Sequence, residues 1–438
     1  MSEERGGTAP AWLLRGARVI DPASGTDDVL DLRVDADGVR RAGTGDERGA
    51  REVVVSGRVV VPAFVEIHAH LREPGGEASE TIATGLEAAR AGGYGHVLAM
   101  ANTDPVNDRP EITRRMLAAA DAASTGVRIY PVSAATRGLA GREPAAWREQ
   151  VAAGCVAISD DGKPVHDPAI LRSVLAAARD LGVPYLSHAE CPALFRGPIH
   201  DGEAARRLGV EGIPRECESD SVRAEIAAAA EVGASLHVCH VSTRTSIDSL
   251  RDAQARGVRC TAEATPHHLL LTDDEFLRRG PDPNLKMNPP LRPADDRRAL
   301  REALRDGTVA AIGTDHAPHA PHLKAKGLAS APFGVIGMES AFAVLHEELV
   351  RREGWPLSVL VERLTIGPAH IAGLRAGRLF DGTAALTILD PDAAFRVRSA
   401  TFRSRSRNCP FEGWEGRGRV VGTLLDGVWT ASGAPGDA

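Results

Sequence analysis

The chain has 438 residues, of which 43% are hydrophobic and 25% are charged, and this length favours one large domain with a smaller one. The formal net charge is −7 without a basic cluster, which argues against a nucleic-acid partner. No segment approaches the ~18 apolar residues of a membrane span, and the start lacks an apolar stretch of signal-peptide length. Because the six cysteines are scattered without a C-x-x-C pair, we expect free thiols and a cytoplasmic protein.

The two flanks of the chain share one character. Residues 12 to about 60, and those from about 376 onward, contain short strands with Gly and Asp turns. Each flank is too small for a core of its own, so we expect the two to pair as one β-rich subdomain. We therefore predict that residues 1–61 and 376–438 form this subdomain and that residues 62–375 form the larger domain.

Between the flanks, eight short apolar runs alternate with Ala-rich segments of helical period. The runs are VVVPAFVEIHAH, YGHVLAMANT, VRIYPVSAAT, CVAISDD, VPYLSHAE, SLHVCHVST, VRCTAEATPHH and VAAIGTDHAPH. Near-continuous apolar strands separated by helices are typical of a parallel sheet that is buried on both faces. Eight such units over roughly 300 residues predict an α/β fold with a (β/α)8 TIM-type barrel. A doubly wound open sheet is the alternative.

Imidazole and carboxylate side chains interrupt the C-terminal ends of five of these runs. They are His68 and His70 in the first run, Asp160 and Asp161 in the fourth, His188 in the fifth, His240 in the sixth, and Asp315, His316 and His319 in the eighth. This end of a barrel carries the active site. Each residue alone is explained by packing, but buried charges need partners, and ligands of this kind without a thiolate suit zinc or a similar divalent ion. The set offers enough ligands for two ions.

Nine pieces of the sequence resemble type I dihydroorotases of the amidohydrolase superfamily. They are HAHLREPG, MANTDPV, SDDGKP, SHAE, CHVST, TAEATPHHLLLTDDE, KMNPPLR, TDHAPH and APFGVIGMES. The resemblance runs from about residue 12 to 430 in the family's order. It implies a barrel with two zinc ions per subunit. It also implies the reversible interconversion of N-carbamoyl-L-aspartate and (S)-dihydroorotate in pyrimidine synthesis.

The resemblance also implies which residues hold the metals. His68, His70 and Asp315 would bind one ion, His188 and His240 the other, and Asp161 would bridge both. Neighbouring candidates such as Asp160 and His237 face the opposite side of their strands, and the family pattern selects the second residue of each pair. Asp315 would also act as the general acid and base.

A second set of residues would recognise the anionic substrate. By resemblance, Arg72, Asn102 and His319 bind the carboxylate, and Asn288 and the backbone of Phe333 and Gly334 contact the ring amide and its carbonyls. Arginine suits this role because its planar guanidinium group donates two parallel hydrogen bonds to a carboxylate. The alternative is that Arg72 pairs with Glu73 at the surface and that Asn102 caps a turn.

Three positions depart from the family pattern. Glu66 stands where Asp is usual, Ala63 where Gly is usual, and Ala385 where Asp is common. These departures leave room for a paralogue with a shifted substrate.

Two other functions remain open. A hydantoinase, dihydropyrimidinase or allantoinase typically bridges its metals with a carboxylated lysine, and only Lys163 lies near a strand end where it could do so. A non-catalytic scaffold for aspartate transcarbamoylase is a more distant alternative, because such chains tend to lose metal ligands. The resemblance also leaves room for a homodimer and for a complex with aspartate transcarbamoylase.

Overall fold

The computed structural model of the chain describes residues 11–380 and 383–432. The N-terminal strands are β1 (Ala11–Asp21), β2 (Thr26–Asp35), β3 (Gly38–Arg41), β4 (Ala50–Val54) and β5 (Val59–Pro62). The central strands are β6 (Phe64–Ala69), β7 (Tyr94–Ala99), β8 (Arg128–Ala134), β9 (Ala157–Ser159), β10 (Tyr185–Ser187), β11 (Ile199–His200), β12 (Gly212–Ile213), β13 (Leu236–Val238), β14 (Cys260–Ala264) and β15 (Ala311–Ile312). The C-terminal strands are β16 (Ala385–Arg396), β17 (Glu415–Leu425) and β18 (Val428–Ala431).

Eight of the central strands form a parallel barrel. Their order in the sheet is β15-β14-β13-β10-β9-β8-β7-β6, while β11 and β12 form a separate two-stranded sheet. The first and last barrel strands meet through a parallel bridge between Ala69 and His316, where the His70 amide donates to the His316 carbonyl at 2.8 Å. The prediction of a (β/α)8 barrel with a β-rich region is confirmed.

The helices alternate with the barrel strands or follow them, and some have clear start and stop signals. They are α1 (Ile82–Ala91), α2 (Pro110–Ala123), α3 (Trp147–Ala152), α4 (Pro168–Leu181), α5 (Glu203–Leu208), α6 (Glu216–Val232), α7 (Arg244–Ala255), α8 (Pro266–Leu270), α9 (Glu275–Arg279), α10 (Ala294–Asp306), α11 (Pro321–Lys324), α12 (Gly327–Ser330), α13 (Ala341–Leu345), α14 (Leu357–Leu364) and α15 (Ile366–Ile371). Helix α4 has both signals, because Asp167 caps its first amides and Gly182 ends it with a φ of 72°. A π-helix at His346–Arg352 follows α13.

The β-rich sheet combines strands from both ends of the described chain. Its order is β18-β17-β16-β5-β1-β2-β3, with β4 paired to β1. Strand β16 is antiparallel to β5, so it joins the C-terminal strands to the N-terminal ones. The parts of the predicted subdomain at residues 1–10, 381–382 and 433–438 lie outside the described residues.

The first predicted run is divided between these two sheets, which corrects the expectation of a single strand. Strand β5 ends at Pro62 and β6 begins at Phe64. Proline has no N–H group with which to continue a ladder. The next two amides then take partners in different sheets, because the Ala63 amide donates to the Ala385 carbonyl at 3.2 Å and the Phe64 amide to the Gly93 carbonyl at 2.9 Å.

Separate apolar clusters support the two sheets. The largest packs barrel strands against the outer helices, and a second lies inside the barrel, where Ile67, Leu98, Val132 and Leu186 are fully buried. Burying each such side chain stabilises the fold by about 1.5–3 kcal/mol. The β-rich sheet has its own cluster around Leu32. Within the described residues, no helix combines the length and apolarity needed to cross a membrane.

Candidate metal centre and active site

Strands β6 and β15 bring the first group of predicted ligands together. His68 and His70 point to the same face, as alternation along a strand requires. Nε2 of His70 lies 3.1 Å from Oδ1 of Asp315, and Nε2 of His68 lies 3.7 Å from the same oxygen. Hydrogen bonding across the barrel seam between β6 and β15 holds this group, because the Glu66 carboxylate accepts from the amides of His68 and Thr314, each at 2.9 Å.

The second group follows strands β10 and β13. Nδ1 of His188 and Nε2 of His240 face each other at 3.0 Å. Two ring nitrogens that point at each other in this way suit a shared cation. The neighbouring His237 does not join this pair, and its Nε2 atom lies 3.2 Å from Glu263.

Asp161 lies between the two groups. Its Oδ1 atom is 3.4 Å from Nε2 of His68, 3.4 Å from Nδ1 of His188 and 3.6 Å from Nε2 of His240. Its Oδ2 atom is 3.4 Å from Nε2 of His70. One carboxylate therefore reaches all four imidazoles.

The alternative carboxylate, Asp160, points away from this group. It accepts from the backbone amides of Ala135 at 2.7 Å and Thr136 at 3.0 Å, and burial raises its pKa to about 6. His316 also faces elsewhere, with its Nε2 atom 3.4 Å from Glu80. Both residues therefore stabilise loops beside the barrel mouth.

The donor set fits a divalent cation. Among the described residues, neither Nε2 of His68 nor Oδ1 of Asp161 has a hydrogen-bond partner, although both atoms are buried. Within the described part of the chain, three sets of three ligand atoms converge. Two of them share Asp161, one with His68 and His70 and the other with His188 and His240, and the third combines His68 and Glu263 with Cys239. Nitrogen and oxygen ligands without a thiolate match zinc and similar ions, so the chain carries a candidate metal site.

The electrostatics of the mouth keep its carboxylates charged. Burial alone would raise the pKa values of Asp161 and Asp315, but the imidazoles around them hold both values below the ordinary range. Burial lowers the pKa of Arg72 to about 10, so the guanidinium stays charged near neutral pH. Burial and the charge of Arg72 lower the pKa of His319 to about 3, so that imidazole is neutral.

Backbone strain is concentrated at the same place. Arg72, His240 and Asp315 have φ values of 60°, 34° and 46°. A positive φ is uncommon outside glycine and costs roughly 1–3 kcal/mol, and such residues cluster at functional sites. The fold therefore directs these three side chains at an energetic cost.

Two predicted carboxylate-binding residues lie side by side. The Arg72 Nε atom donates to the Pro318 carbonyl at 3.1 Å, and an Arg72 terminal nitrogen is 3.5 Å from Nε2 of His319. Glu73 instead accepts from the Ile82 amide at the start of α1, at 2.8 Å. The alternative of an Arg72–Glu73 surface pair is therefore wrong.

The two asparagines contact the histidines directly. Oδ1 of Asn102 lies 2.8 Å from Nδ1 of His70. Nδ2 of Asn288 donates to Glu190 at 2.6 Å and lies 3.0 Å from Nε2 of His188. Each of these asparagines is predicted to bind the substrate, and each contacts a predicted metal ligand.

One carbonyl and one amide of the backbone at Phe333 and Gly334 form contacts within the protein. The Phe333 carbonyl lies 2.7 Å from Nε2 of His319, and the Gly334 amide donates to the Lys286 carbonyl at 2.9 Å. This segment is thereby fixed beside His319.

Sequence reasoning missed two glutamates that touch the histidines. Oε2 of Glu190 lies 3.4 Å from Nε2 of His188, and Oε1 of Glu263 lies 2.7 Å from Nδ1 of His68. The signal for Glu263 was present, because a charged residue in the buried seventh run needs a buried partner.

Solved structures of similar fold support this architecture. The L-hydantoinase (dihydropyrimidinase) of Arthrobacter aurescens has a TM-score of 0.84 at 22% identity, covering 96% of this chain and 95% of that one. The D-hydantoinase (dihydropyrimidinase) of a Thermus species has a TM-score of 0.81 at 23% identity, with the same coverage of both chains. At these identities the likeness concerns the fold.

The barrel and the histidine–carboxylate mouth are the architecture of an enzyme with a candidate metal site, and the sequence relatives define its class as a hydrolase of cyclic amides. A family model described as dihydro-orotase-like matches residues 57–246. The dihydroorotase of Anaeromyxobacter dehalogenans is 46% identical over 418 residues, which is 94% of this chain and 96% of the relative. That of Geobacter metallireducens is 41% identical over 95% of this chain and 98% of the relative. The chain belongs to the dihydroorotase family.

Proposed function

We propose that the protein interconverts N-carbamoyl-L-aspartate and (S)-dihydroorotate, with two zinc ions per subunit. The observation that carries the proposal is the position of Asp161 within 3.4–3.6 Å of all four imidazoles. His68, His70 and Asp315 would hold one ion, and His188 and His240 the other, with Asp161 shared. Ions bound there would polarise the amide carbonyl and lower the pKa of water to about 7.

The residues of the chain supply recognition and proton transfer. Arg72, Asn102 and His319 bind the substrate carboxylate beside the metal ligands. Asn288, Phe333 and Gly334 would contact the ring amide and its carbonyls. In ring opening, Asp315 takes the proton of the attacking water and delivers it to the ring nitrogen as the C–N bond breaks. In ring closure, Asp315 takes the ureido proton as the C–N bond forms, and water leaves with that proton.

The four lysines argue against the hydantoinase-type alternative. Lys163 is exposed, and its backbone amide donates to the Asp160 carbonyl at 2.8 Å. Lys286 and Lys324 donate their Nζ atoms to backbone carbonyls elsewhere, and Lys326 is exposed. The side chain that lies between the two groups of histidines is that of Asp161 and not of a lysine.

A substrate comparison tests the proposal. Purified protein should turn over dihydroorotate far faster than dihydrouracil, hydantoin or allantoin. Equal turnover of dihydrouracil would contradict the dihydroorotase proposal and leave a cyclic amidase of other specificity. Elemental analysis should find two zinc ions per chain, and full activity in metal-stripped protein would contradict the metal requirement.

The proposal extends to organisation and partners. Residues 1–61 and 376–438 would form one β-rich unit beside a catalytic barrel of residues 62–375. A homodimer and a complex with aspartate transcarbamoylase are both part of it, and sedimentation of the chain alone and mixed with that enzyme tests them. The unpaired cysteines of the described chain fit a cytoplasmic location.

A further inference from the structure

A carboxylate in the middle of strand β14 has no role in the chemistry described above. Glu263 is fully buried, and its two oxygens contact different histidines. Oε1 lies 2.7 Å from Nδ1 of His68, and Oε2 lies 3.2 Å from Nε2 of His237. Oε1 also accepts from the His240 backbone amide at 3.4 Å.

The contact with His68 fixes the state of that ring. A carboxylate at 2.7 Å holds a hydrogen on Nδ1, so the neutral His68 ring carries its lone pair on Nε2. Nε2 is the atom that faces Asp161 and Asp315. The opposite tautomer would place a hydrogen where a metal ion must sit.

Neighbouring strands are built to hold Glu263 in this position. His237 is itself held by Thr261, with 2.9 Å between Nδ1 and the Thr261 hydroxyl. Gly313 directly follows strand β15. A Cβ atom at Gly313 would lie 2.7 Å from Oε2 of Glu263. The absence of a side chain at Gly313 therefore makes room for the carboxylate.

We propose that Glu263 is a positioning residue for both metal sites. The Glu263 carboxylate holds His68 in the ligating tautomer and orientation. It also accepts from the His240 backbone amide. Strands β6, β13 and β14 thereby set the separation of the two ligand groups through one side chain. This inference rests on the proposed metal site.

Glu225 offers a matched control. It is also a buried glutamate behind a metal-ligand strand, but its oxygens accept from the hydroxyls of Ser187 and Ser221. Glu225→Gln and Glu263→Gln therefore make the same chemical change at a similar depth. Only the second change touches a ligand ring.

Cobalt binding to metal-stripped protein is the direct test. Glu263→Gln should weaken Co²⁺ affinity by about 10–100-fold and shift the visible absorption bands, as loss of a carboxylate behind a ligating histidine does. Glu225→Gln should match the wild type in both readouts. With zinc restored, Glu263→Gln should lower kcat for dihydroorotate while KM stays close to the wild-type value, because Arg72 and His319 are untouched.

Three outcomes would overturn the inference. The first is wild-type Co²⁺ affinity and spectrum in Glu263→Gln, which would leave Glu263 a purely structural residue. The second is an intense thiolate band, because Cys239 lies with His68 and Glu263 in a third set of converging ligand atoms and would then be binding the ion. The third is the absence of Co²⁺ binding by the wild type.

A second variant covers the case in which Glu263→Gln does not fold. Gly313→Ala keeps Glu263 but crowds its carboxylate, so it should weaken Co²⁺ binding in the same direction. Unchanged binding in folded Gly313→Ala would contradict the inference. The outcome for either variant is separate from the proposed function, because that function is tested by the turnover of dihydroorotate and the metal content of the wild type.

Discussion

Asp161 connects the two groups of histidines at the barrel mouth. It is 5% exposed, and three of its four close imidazole nitrogens approach the same oxygen. Without this carboxylate, Asp315 would be the one carboxylate left in the proposed ligand set to balance the charge of bound cations. We therefore expect the loss of the Asp161 side chain to weaken metal binding at both proposed sites.

Asp161→Ala should therefore remove most bound metal and most activity. Lys163→Ala is the matched control, because this lysine is exposed two residues away and its backbone amide, which alanine keeps, donates to the Asp160 carbonyl. It should keep metal content and activity near wild type. Elemental analysis and the dihydroorotate assay check both variants. The reverse result would indicate a carboxylated lysine bridge.

Arg72 should determine the preference for an anionic substrate. Truncating one partner of a desolvated charge pair costs about 2–5 kcal/mol, or roughly 30-fold to several thousand-fold in kcat/KM. We expect that loss for dihydroorotate in Arg72→Ala, with unchanged metal content. Arg72→Lys should recover only part of the activity, because it keeps the charge and loses the fork.

Dihydrouracil provides the internal control for Arg72, because it has the same ring without the carboxylate. The wild type should strongly prefer dihydroorotate, and Arg72→Ala should narrow that preference by damaging only the anionic substrate. Equal losses on both substrates would show that Arg72 acts on the metal site or the fold instead.

At the scale of elements, two buried lysines donate hydrogen bonds to the backbone of the segment from α11 to Gly334. Nζ of Lys286 donates to the Leu328 carbonyl at 2.8 Å, and Nζ of Lys324 donates to the Pro332 carbonyl at 3.0 Å. Phe333 also lies against Lys286, with 4.5 Å between Nζ and the ring centre. These contacts fix the segment that carries two of the predicted substrate contacts.

The buried amine of Lys324 predicts a pH-dependent stability. Burial and the charge of Lys286, opposed by Asp282, lower the pKa of Lys324 to about 7, whereas an unfolded lysine titrates near ~10.4. Between these values the unfolded chain binds more protons. The free energy of unfolding should therefore rise with pH by up to about 1.4 kcal/mol per unit from this group.

Urea unfolding at several pH values checks this effect. The free energy of unfolding of the wild type, minus that of Lys324→Met, should rise between pH values of about 7 and 10 and stay flat below about 6. The exposed neighbour Lys326 gives the control, since Lys326→Met should differ from the wild type by an amount independent of pH. A flat difference for Lys324→Met would contradict the prediction.

The sequence predicted the eight barrel strands, although its first run contains two strands, β5 and β6, that belong to different sheets. His68 and His70 share a face by simple alternation, and polar groups at the ends of apolar runs indicate the barrel mouth. Choosing Asp161 over Asp160 required the family pattern, because both residues end the same run. The structure shows the physical difference, because the Asp160 carboxylate accepts from the backbone amides of Ala135 and Thr136, which follow strand β8.

Partners across distant strands could not be read from the sequence. Glu263 and His68 are 195 positions apart, and their contact depends on the order of strands around the barrel. Glu66 was identified as a departure from the family. Its longer side chain reaches both the His68 and Thr314 amides across the barrel seam, which only the closed sheet reveals.

At the scale of the whole molecule, the β-rich sheet is joined to the barrel through strand β16. Thr387 on this strand donates its hydroxyl to the Gly93 carbonyl, just before β7, at 2.7 Å. Thr387 is paired in register with Thr423 on β17, and both side chains are fully buried. Within the described chain, the Thr423 hydroxyl has no hydrogen-bond partner.

The same isosteric substitution at Thr387 and Thr423 allows the contribution of the hydrogen bond between Thr387 and Gly93 to stability to be measured. Thr387→Val should lower the free energy of unfolding by about 0.5–1.5 kcal/mol, because it removes a buried hydrogen bond to the barrel. Thr423→Val should leave stability unchanged or raise it, because it removes a hydroxyl that is buried without a partner. Chemical unfolding of both variants, with metal content held equal, gives the comparison. Equal effects at the two positions would mean that the contact between Thr387 and Gly93 does not contribute to joining the β-rich sheet to the barrel.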